Sequence, residues 1–296
     1  MACIALKVDV DTLRGTREGV PRLVETFERA AVRATFLFSL GPDHTGWALR
    51  RAFRPGFLSK VSRTSVVRHY GVRSLLYGVL LPAPDIGRRG VDAIRLAHRA
   101  GQECGIHAWD HVDWQDNVRR RDEAWTRAHM QRAFDRFVEA VGEKPSTHGS
   151  AGWQMNSAAF RQIDDWNLAY ASDGRGGGPY RPVVEGQCLH HVQIPTTLPT
   201  MDELIGLDGV DEGNVADALL ARTTADEDQV FTLHAELEGG HLAPALVALI
   251  RGWRAQGHVL GSLADVHARL DREALPRLVP GWSSVPGRSG QLIVAA

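Results

Sequence analysis

The chain has 296 residues, 44% of them hydrophobic and 23% charged, with a formal net charge of -1 at pH 7. Such a length can bury a full core, as one large α/β domain or two small ones. The near-neutral balance excludes the global basic field of a nucleic-acid binder.

In chain order, CIALKVDV reads as a buried strand and DTLRGTREG as the turn after it. Pro21 suits the first turn of a helix reaching about Ala31, and ATFLFSL is a second strand. Residues 43–84 form an irregular basic-apolar insertion, expected to be helical. From His44 to Pro84 it holds no Asp or Glu, yet carries Arg50, Arg51, Arg54, Lys60, Arg63, Arg68 and Arg73 among Trp47, Phe53, Phe57 and Tyr70. A helix from about Val91 to Ala100 leads into the strand QECGIH. RDEAWTRAHMQRAFDRFVEAVG is a periodic helix ending at Gly142, and STHGSAG a short strand and loop. FRQIDDWN reads as helix and LAYASD as strand; QVFTLHAE is a late strand, followed by helices over APALVALIRGWRAQG and ADVHARL. Residues 201–240 are acidic, with Arg222 as their single cation. Residues 1–275 are expected to make one domain, and 276–296 an irregular tail without periodicity. Strands alternating with helices imply a largely parallel sheet, open or closed into a barrel.

The odd cysteines Cys3, Cys104 and Cys188 lack C-x-x-C spacing, which points to a reducing compartment. MACIALKVDVD carries no basic n-region or cleavage site, and no apolar run reaches about 18 residues. A cytoplasmic protein is expected.

In parallel α/β folds functional residues gather at the C-terminal ends of strands. Asp9 and Asp11 close the first strand, His107 and His111 follow the third, and His234 closes a late one. Two carboxylates on one face of a strand are costly to bury unless a cation or hydrogen-bond donors compensate. Two imidazoles with a carboxylate are a common ligand set that leaves positions open for water and substrate. Each pair alone also reads blandly, Asp-x-Asp as a turn or cap and His-x3-His as a packed pair. Their joint occurrence at three strand ends favours a metal site. The H-E-x-x-H pattern of zinc proteases is absent.

VDVDTLRGTREGVP, GIHAWDHVDW, YASDGRGGGPYRP, QIPTTLPTMDELIG and FTLHAELEGG, spread in order from about Ile4 to about Leu270, resemble the polysaccharide deacetylase family, carbohydrate esterase family 4. They are most similar to its cytoplasmic branch, which deformylates a formamido-arabinose carried on undecaprenyl phosphate. The resemblance implies a distorted (β/α)7 barrel. It implies Asp9 as general base, Asp11, His107 and His111 as ligands of one divalent ion (zinc, manganese or cobalt), and His234 as general acid. The implied reaction is formamide hydrolysis to formate and a 4-amino sugar, serving lipid A modification and resistance to cationic peptides such as polymyxin. One departure stands out: many members hold the catalytic aspartate with a third-motif arginine, whereas THGSAGWQMN has none and Gln154 follows Trp153. Arg175 is a candidate for that role.

A lipid-linked substrate also gives the basic-apolar insertion a reason. Arg50, Arg51, Arg54, Phe57, Lys60 and Arg63 suit an element lying on anionic lipid, each cation contributing ~1 kcal/mol. The plainer reading is a helical insertion packed on the barrel with its arginines in water. The membrane reading places the protein peripherally on the cytoplasmic face of the inner membrane. Arg14 and Arg17 are candidates for gripping the substrate phosphodiester, or for pairing with Glu18 or Asp43. Asp173, Arg175, Tyr180 and Arg181 flank a glycine run and are candidate substrate contacts, with Trp153 a candidate pocket wall. Glu236 and Glu238 either orient His234 or cap its strand, and Cys104 reads as a small buried filler. Other readings are a cytoplasmic sugar deacetylase or cyclic amidohydrolase of the same fold, and a non-catalytic membrane-binding scaffold.

Overall fold

The computed structural model describes residues 1–48, 71–288 and 290–295. The interfacial candidates Arg50, Arg51, Arg54, Phe57, Lys60 and Arg63 lie outside the described residues.

The elements that matter, in order, are β1 (Cys3–Val10), α1 (Val20–Arg29), β2 (Thr35–Ser39), α2 (Val91–Arg99) and β3 (Glu103–Ala108). Next come α3 (His111–Asn117), α4 (Glu123–Val141), α5 (Ser157–Asp165), β4 (Tyr170–Ala171) and β5 (Val192–Gln193). The last are α6 (Met201–Leu204), β6 (Gln229–His234), α7 (Ala243–Ala255) and β7 (Val259–Gly261).

β1 is buried along its whole length, as a central parallel strand covered on both faces must be. β6 pairs with it over Ile4–Asp9, while its other edge serves β7 over Cys3–Ala5 and β2 over Lys7–Val10. β2 then pairs with β3 in parallel. Single main-chain bonds continue the ladder. Ile106 donates to Thr147 and Ser172 to His148; Ile194 donates to Ala171, and Leu198 to Val230 on β6. The result is a five-stranded parallel sheet, extended by these single bonds, in agreement with the expected parallel α/β architecture. Helices wrap it: α1 buries Val20, Leu23, Val24 and Phe27, a three-four spacing that puts one apolar stripe on the sheet. α4 starts where Asp122 accepts the Trp125 N–H and stops at Gly142, whose φ of 89° favours glycine.

Two stretches differ from the sequence reading. DTLRGTREG is helical: Gly15–Gly19 forms a π-turn that runs directly into α1. The wide turn lies against the end of β6, where a Cβ on Gly15 would stand 2.0 Å from Glu236 Oε1 and one on Gly19 2.0 Å from the Ala235 carbonyl. Described residues after Pro276 form short strands. Arg277–Leu278 pairs with Arg181–Val184, and Gly281–Ser283 pairs with Leu292–Ala295, which itself adds to Arg175–Gly176. Strands of two to four residues paired with distant partners carry no local period to read. Among the described residues no helix is long and apolar enough to cross a membrane.

Candidate metal and catalytic site

The site forms where β1, β3 and β6 end. Lys7, Asp9 and Asp11 alternate on one face of β1 and its exit. β3 delivers His107 near its end, and α3 delivers His111 as its first residue, because Asp110 caps that helix by accepting the Asp113 N–H at 3.0 Å. His-x3-His here spans a strand end and a helix start. Asp11 Oδ1 stands 3.2 Å from His107 Nε2, and Asp11 Oδ2 stands 3.4 Å from His111 Nε2. One ligand atom from each of the three lies within 4.8 Å of the others.

Two observations fit this trio to a cation. Asp11 Oδ1 is buried with no hydrogen-bond partner. His107 Nδ1 donates to the Gly149 carbonyl at 2.6 Å, which leaves the Nε2 lone pair facing Asp11. Lone pairs converging on one space need a positive charge between them. Burial alone would raise the Asp11 carboxyl, but the His111 and His107 imidazoles outweigh it and hold it well below the usual range. Burial lowers His107, and Asp9 with Asp11 more than restores it, so its net direction is upward.

His234 is the register partner of Asp9 on the neighbouring parallel strand, so the two side chains share a face. Its Nδ1 lies 3.9 Å from Asp202 Oδ1 on α6. Asp202 was missed in the sequence because it sits in an acidic stretch rather than at a strand end. Glu238 accepts the His234 backbone N–H at 2.8 Å, and burial pushes its carboxyl up to about 8. Glu236 instead braces the end of β1. Its Oε1 accepts from the Thr12 N–H at 2.8 Å, the Thr12 hydroxyl at 2.7 Å and the Asp11 N–H at 3.2 Å. Burial first, then Asp11, raise the Glu236 carboxyl to about 8.

The other candidates are not brought together with this cluster. Asp173 is sealed from solvent, held by His148 Nδ1 at 2.6 Å and by the Gln193 amide at 2.6 Å, so it braces the barrel instead of touching substrate. Tyr180 is buried, with its backbone bridged to Gln193. Arg175 is engaged by both oxygens of Glu203 at 2.7 and 3.0 Å, which removes it as the holder of Asp9. Trp153 is buried, donates to Thr196 Oγ1 at 3.1 Å and lies beneath Lys7, Arg175 and Arg288. Arg181 donates to the Leu189 carbonyl at 3.3 Å on the far side of the 181–188 hairpin. Asp43 accepts from Leu13 and Thr45, so it does not pair with Arg14 or Arg17. Arg14 sits 3.3 Å from Glu18. Cys104 is buried in the main core, as expected of a small filler.

A cavity of about 40 Å³ adjoins the trio, lined by Asp11, Thr12, Asp43, His44, His111 and Gln115. His44 bonds to Asp110 through Nδ1 and stacks on Trp47 with ring centres 3.7 Å apart. A larger groove of about 490 Å³ runs alongside, lined by Arg14, Arg17, Arg73, Ser74 and Tyr77.

No family model matches the chain. A curated protein of Shewanella sediminis (strain HAW-EB3), "Probable 4-deoxy-4-formamido-L-arabinose-phosphoundecaprenol deformylase ArnD", is 37% identical over 236 residues, 80% of this chain and 76% of that protein. A protein of the same name from Wigglesworthia glossinidia brevipalpis is 28% identical over 277 residues, 93% of this chain and 96% of that one. Among solved structures, a Mycobacterium smegmatis chain described as a polysaccharide deacetylase superposes with a TM-score of 0.66 at 17% identity, covering 96% of this chain and 95% of that one. A probable polysaccharide deacetylase from Pseudomonas aeruginosa PAO1 gives 0.59 at 17% identity, covering 90% of each chain. Identity of this order over four-fifths of the residues, on the polysaccharide deacetylase fold, makes the chain a member of the 4-deoxy-4-formamido-L-arabinose-phosphoundecaprenol deformylase family.

Proposed function

We propose that this chain hydrolyses the formamide of 4-deoxy-4-formamido-L-arabinose-phosphoundecaprenol, giving formate and the 4-amino sugar, with Asp9 as general base, His234 as general acid and Asp11, His107 and His111 as metal ligands. The observation that carries the reading is the meeting of those three ligands beside the Asp9–His234 pair. Zinc, manganese or cobalt suits the two-nitrogen, one-oxygen donor set. Such an ion, when bound, supplies the Lewis acidity that makes a water acidic near neutral pH and steadies developing negative charge.

The rest belongs to the chain's own groups. Asp9 Oδ1 is buried and without a hydrogen-bond partner, with the Lys7 ammonium 3.6 Å away, so the carboxylate has an oxygen left to take the attacking water's proton. An amine anion leaves very poorly, so nitrogen must gain a proton as the C–N bond breaks. His234 stands on the next strand to give it, with Asp202 facing its Nδ1 so that Nε2 is left for the nitrogen. Glu236 holds Asp11 and Thr12 by their backbone N–H groups, keeping the ligand strand end in place.

A lipid-linked substrate requires contact with a bilayer surface. The groove of Arg14, Arg17 and Arg73 offers bidentate donors to a phosphodiester. Beside it, Val79, Leu80 and Leu81 expose 53%, 76% and 37% of their surface, as a segment dipping into lipid would. Cosedimentation with phosphatidylglycerol vesicles, weakened by salt and by Arg14→Glu with Arg17→Glu, is the expected behaviour. Binding indifferent to both would contradict the interfacial reading.

The test of the reaction is mass spectrometry of formamido- and acetamido-arabinose polyprenyl phosphates incubated with enzyme, with and without chelator. Chelator-sensitive loss of CO from the formamide supports the reading. No change in either substrate ends it, and reaction of the acetamide alone replaces it with a deacetylase.

A further inference from the structure

A lysine ammonium is rarely sealed in a protein interior, because removing it from water is expensive without strong compensation. Lys7 has no exposed surface, and burial pulls its ammonium down while Asp9 and Asp173 push it back up. Its Nζ donates to the Ser172 carbonyl at 3.1 Å, stands 3.6 Å from Asp9 Oδ1 and lies 5.3 Å from the centre of the Trp153 ring. Those three contacts fix the position of the ammonium beside Asp9. The stem is confined as well, since a Cβ on Gly149 would meet Lys7 Cε at 3.1 Å.

The other cations near the base are committed elsewhere. Arg175 is held by Glu203, and Arg288 Nε donates to the same carboxylate at 2.8 Å. Gln154 donates to the Gln291 carbonyl at 2.8 Å.

We propose that Lys7 is the positioning residue for Asp9: from the base's own strand, two residues back on the same face, it holds one carboxylate oxygen and leaves the other to accept the water's proton. A lysine is a compact point charge with rotatable donors, so it contacts one oxygen where an arginine fork takes both. The 3.6 Å separation is long for an ion pair, in keeping with catalytic contacts that tighten only around substrate. This rests on Asp9 being the base.

The experiment is a double-mutant cycle on the full chain loaded with its metal, using Lys7→Met, Asp9→Asn and the pair. Methionine keeps the stem's volume and removes the charge. Lys7→Met is expected to lower kcat by about 100-fold and to leave KM within about threefold. Metal stoichiometry and thermal midpoint should hold, since an apolar isostere of a buried charge is often neutral or stabilising. In the Asp9→Asn background the same change should alter the residual rate by less than about threefold. A kcat within threefold of wild type, a loss confined to KM, an equal loss with and without Asp9, or a lowered midpoint with lost metal would each overturn the proposal. Lys7→Gln carries the same readings if the methionine chain does not fold. Failure of Lys7→Met with Asp9→Asn inactive removes this proposal alone; full turnover by Asp9→Asn removes the base assignment and this proposal with it.

Discussion

Glu236 is the residue through which β6 holds the metal-bearing end of β1, and its removal gives a graded prediction. Glu236→Ala deletes one acceptor oxygen that receives the Thr12 N–H, the Thr12 hydroxyl and the Asp11 N–H. A buried donor left unpaired costs ~1–3 kcal/mol, so the two Thr12 donors together cost about 2–6 kcal/mol in unfolding free energy. The lost support should also move Asp11 and weaken metal affinity ~10–100-fold, the usual effect of removing an outer partner. Glu236→Gln should do far less. Its amide oxygen can take the same three donors. Urea unfolding and competitive metal titration, run on both variants, measure the two effects. If Glu236→Ala unfolds within about 1 kcal/mol of wild type and binds metal unchanged, the bracing role assigned to Glu236 is wrong.

Three further outcomes follow from the geometry. Asp202→Asn should cut kcat by about tenfold or more with metal content intact, because His234 loses the carboxylate that faces its Nδ1; unchanged steady-state kinetics would contradict this. His129 is buried between Trp114 and Trp125 with neither ring nitrogen hydrogen-bonded, Nε2 standing 3.9 Å from Asp113 Oδ2, and burial lowers its pKa to about 4. The fold therefore favours the neutral ring. That stability is complete above pH 6.5 and falls as pH drops toward 4, by about 3 kcal/mol in all; denaturant titrations across that window should show a drop that His129→Phe flattens. Gly19→Ala would drive a Cβ to 2.0 Å from the Ala235 carbonyl, backbone against backbone, and should cost about 3 kcal/mol in thermal or urea unfolding.

What was legible in the sequence was whatever repeats along one element. β1, β2 and β3 were visible as apolar runs between turn signals, and α4 by its period, its Asp122 cap and its Gly142 stop. Asp9, Asp11, His107, His111 and His234 were visible because polar groups at strand ends interrupt apolar runs. Lys7 had the same signal, an alternate-residue match to Asp9 and Asp11, but it lay inside the run and a buried lysine is an uncommon expectation. Asp202 could not be read, since what brings it to His234 is the return of the chain from β5 through α6 to β6. Asp173 and Tyr180 carry polar or aromatic groups near a glycine run, which suggests a binding loop. Asp173 is instead held by His148 and Gln193, and Tyr180 is bridged to Gln193, pairings between stretches apart in sequence that carry no local signal.

The most direct measurement sets metal content and affinity against turnover in one series: wild type, Asp11→Ala and Asp9→Asn. One divalent ion per chain and chelator-reversible deformylation are expected in wild type. Asp11→Ala should lose both ion and activity, and Asp9→Asn should retain the ion with turnover abolished. Deformylation at the wild-type rate by metal-stripped protein, or a fully active Asp11→Ala, would contradict the assignment of a metal-dependent hydrolase.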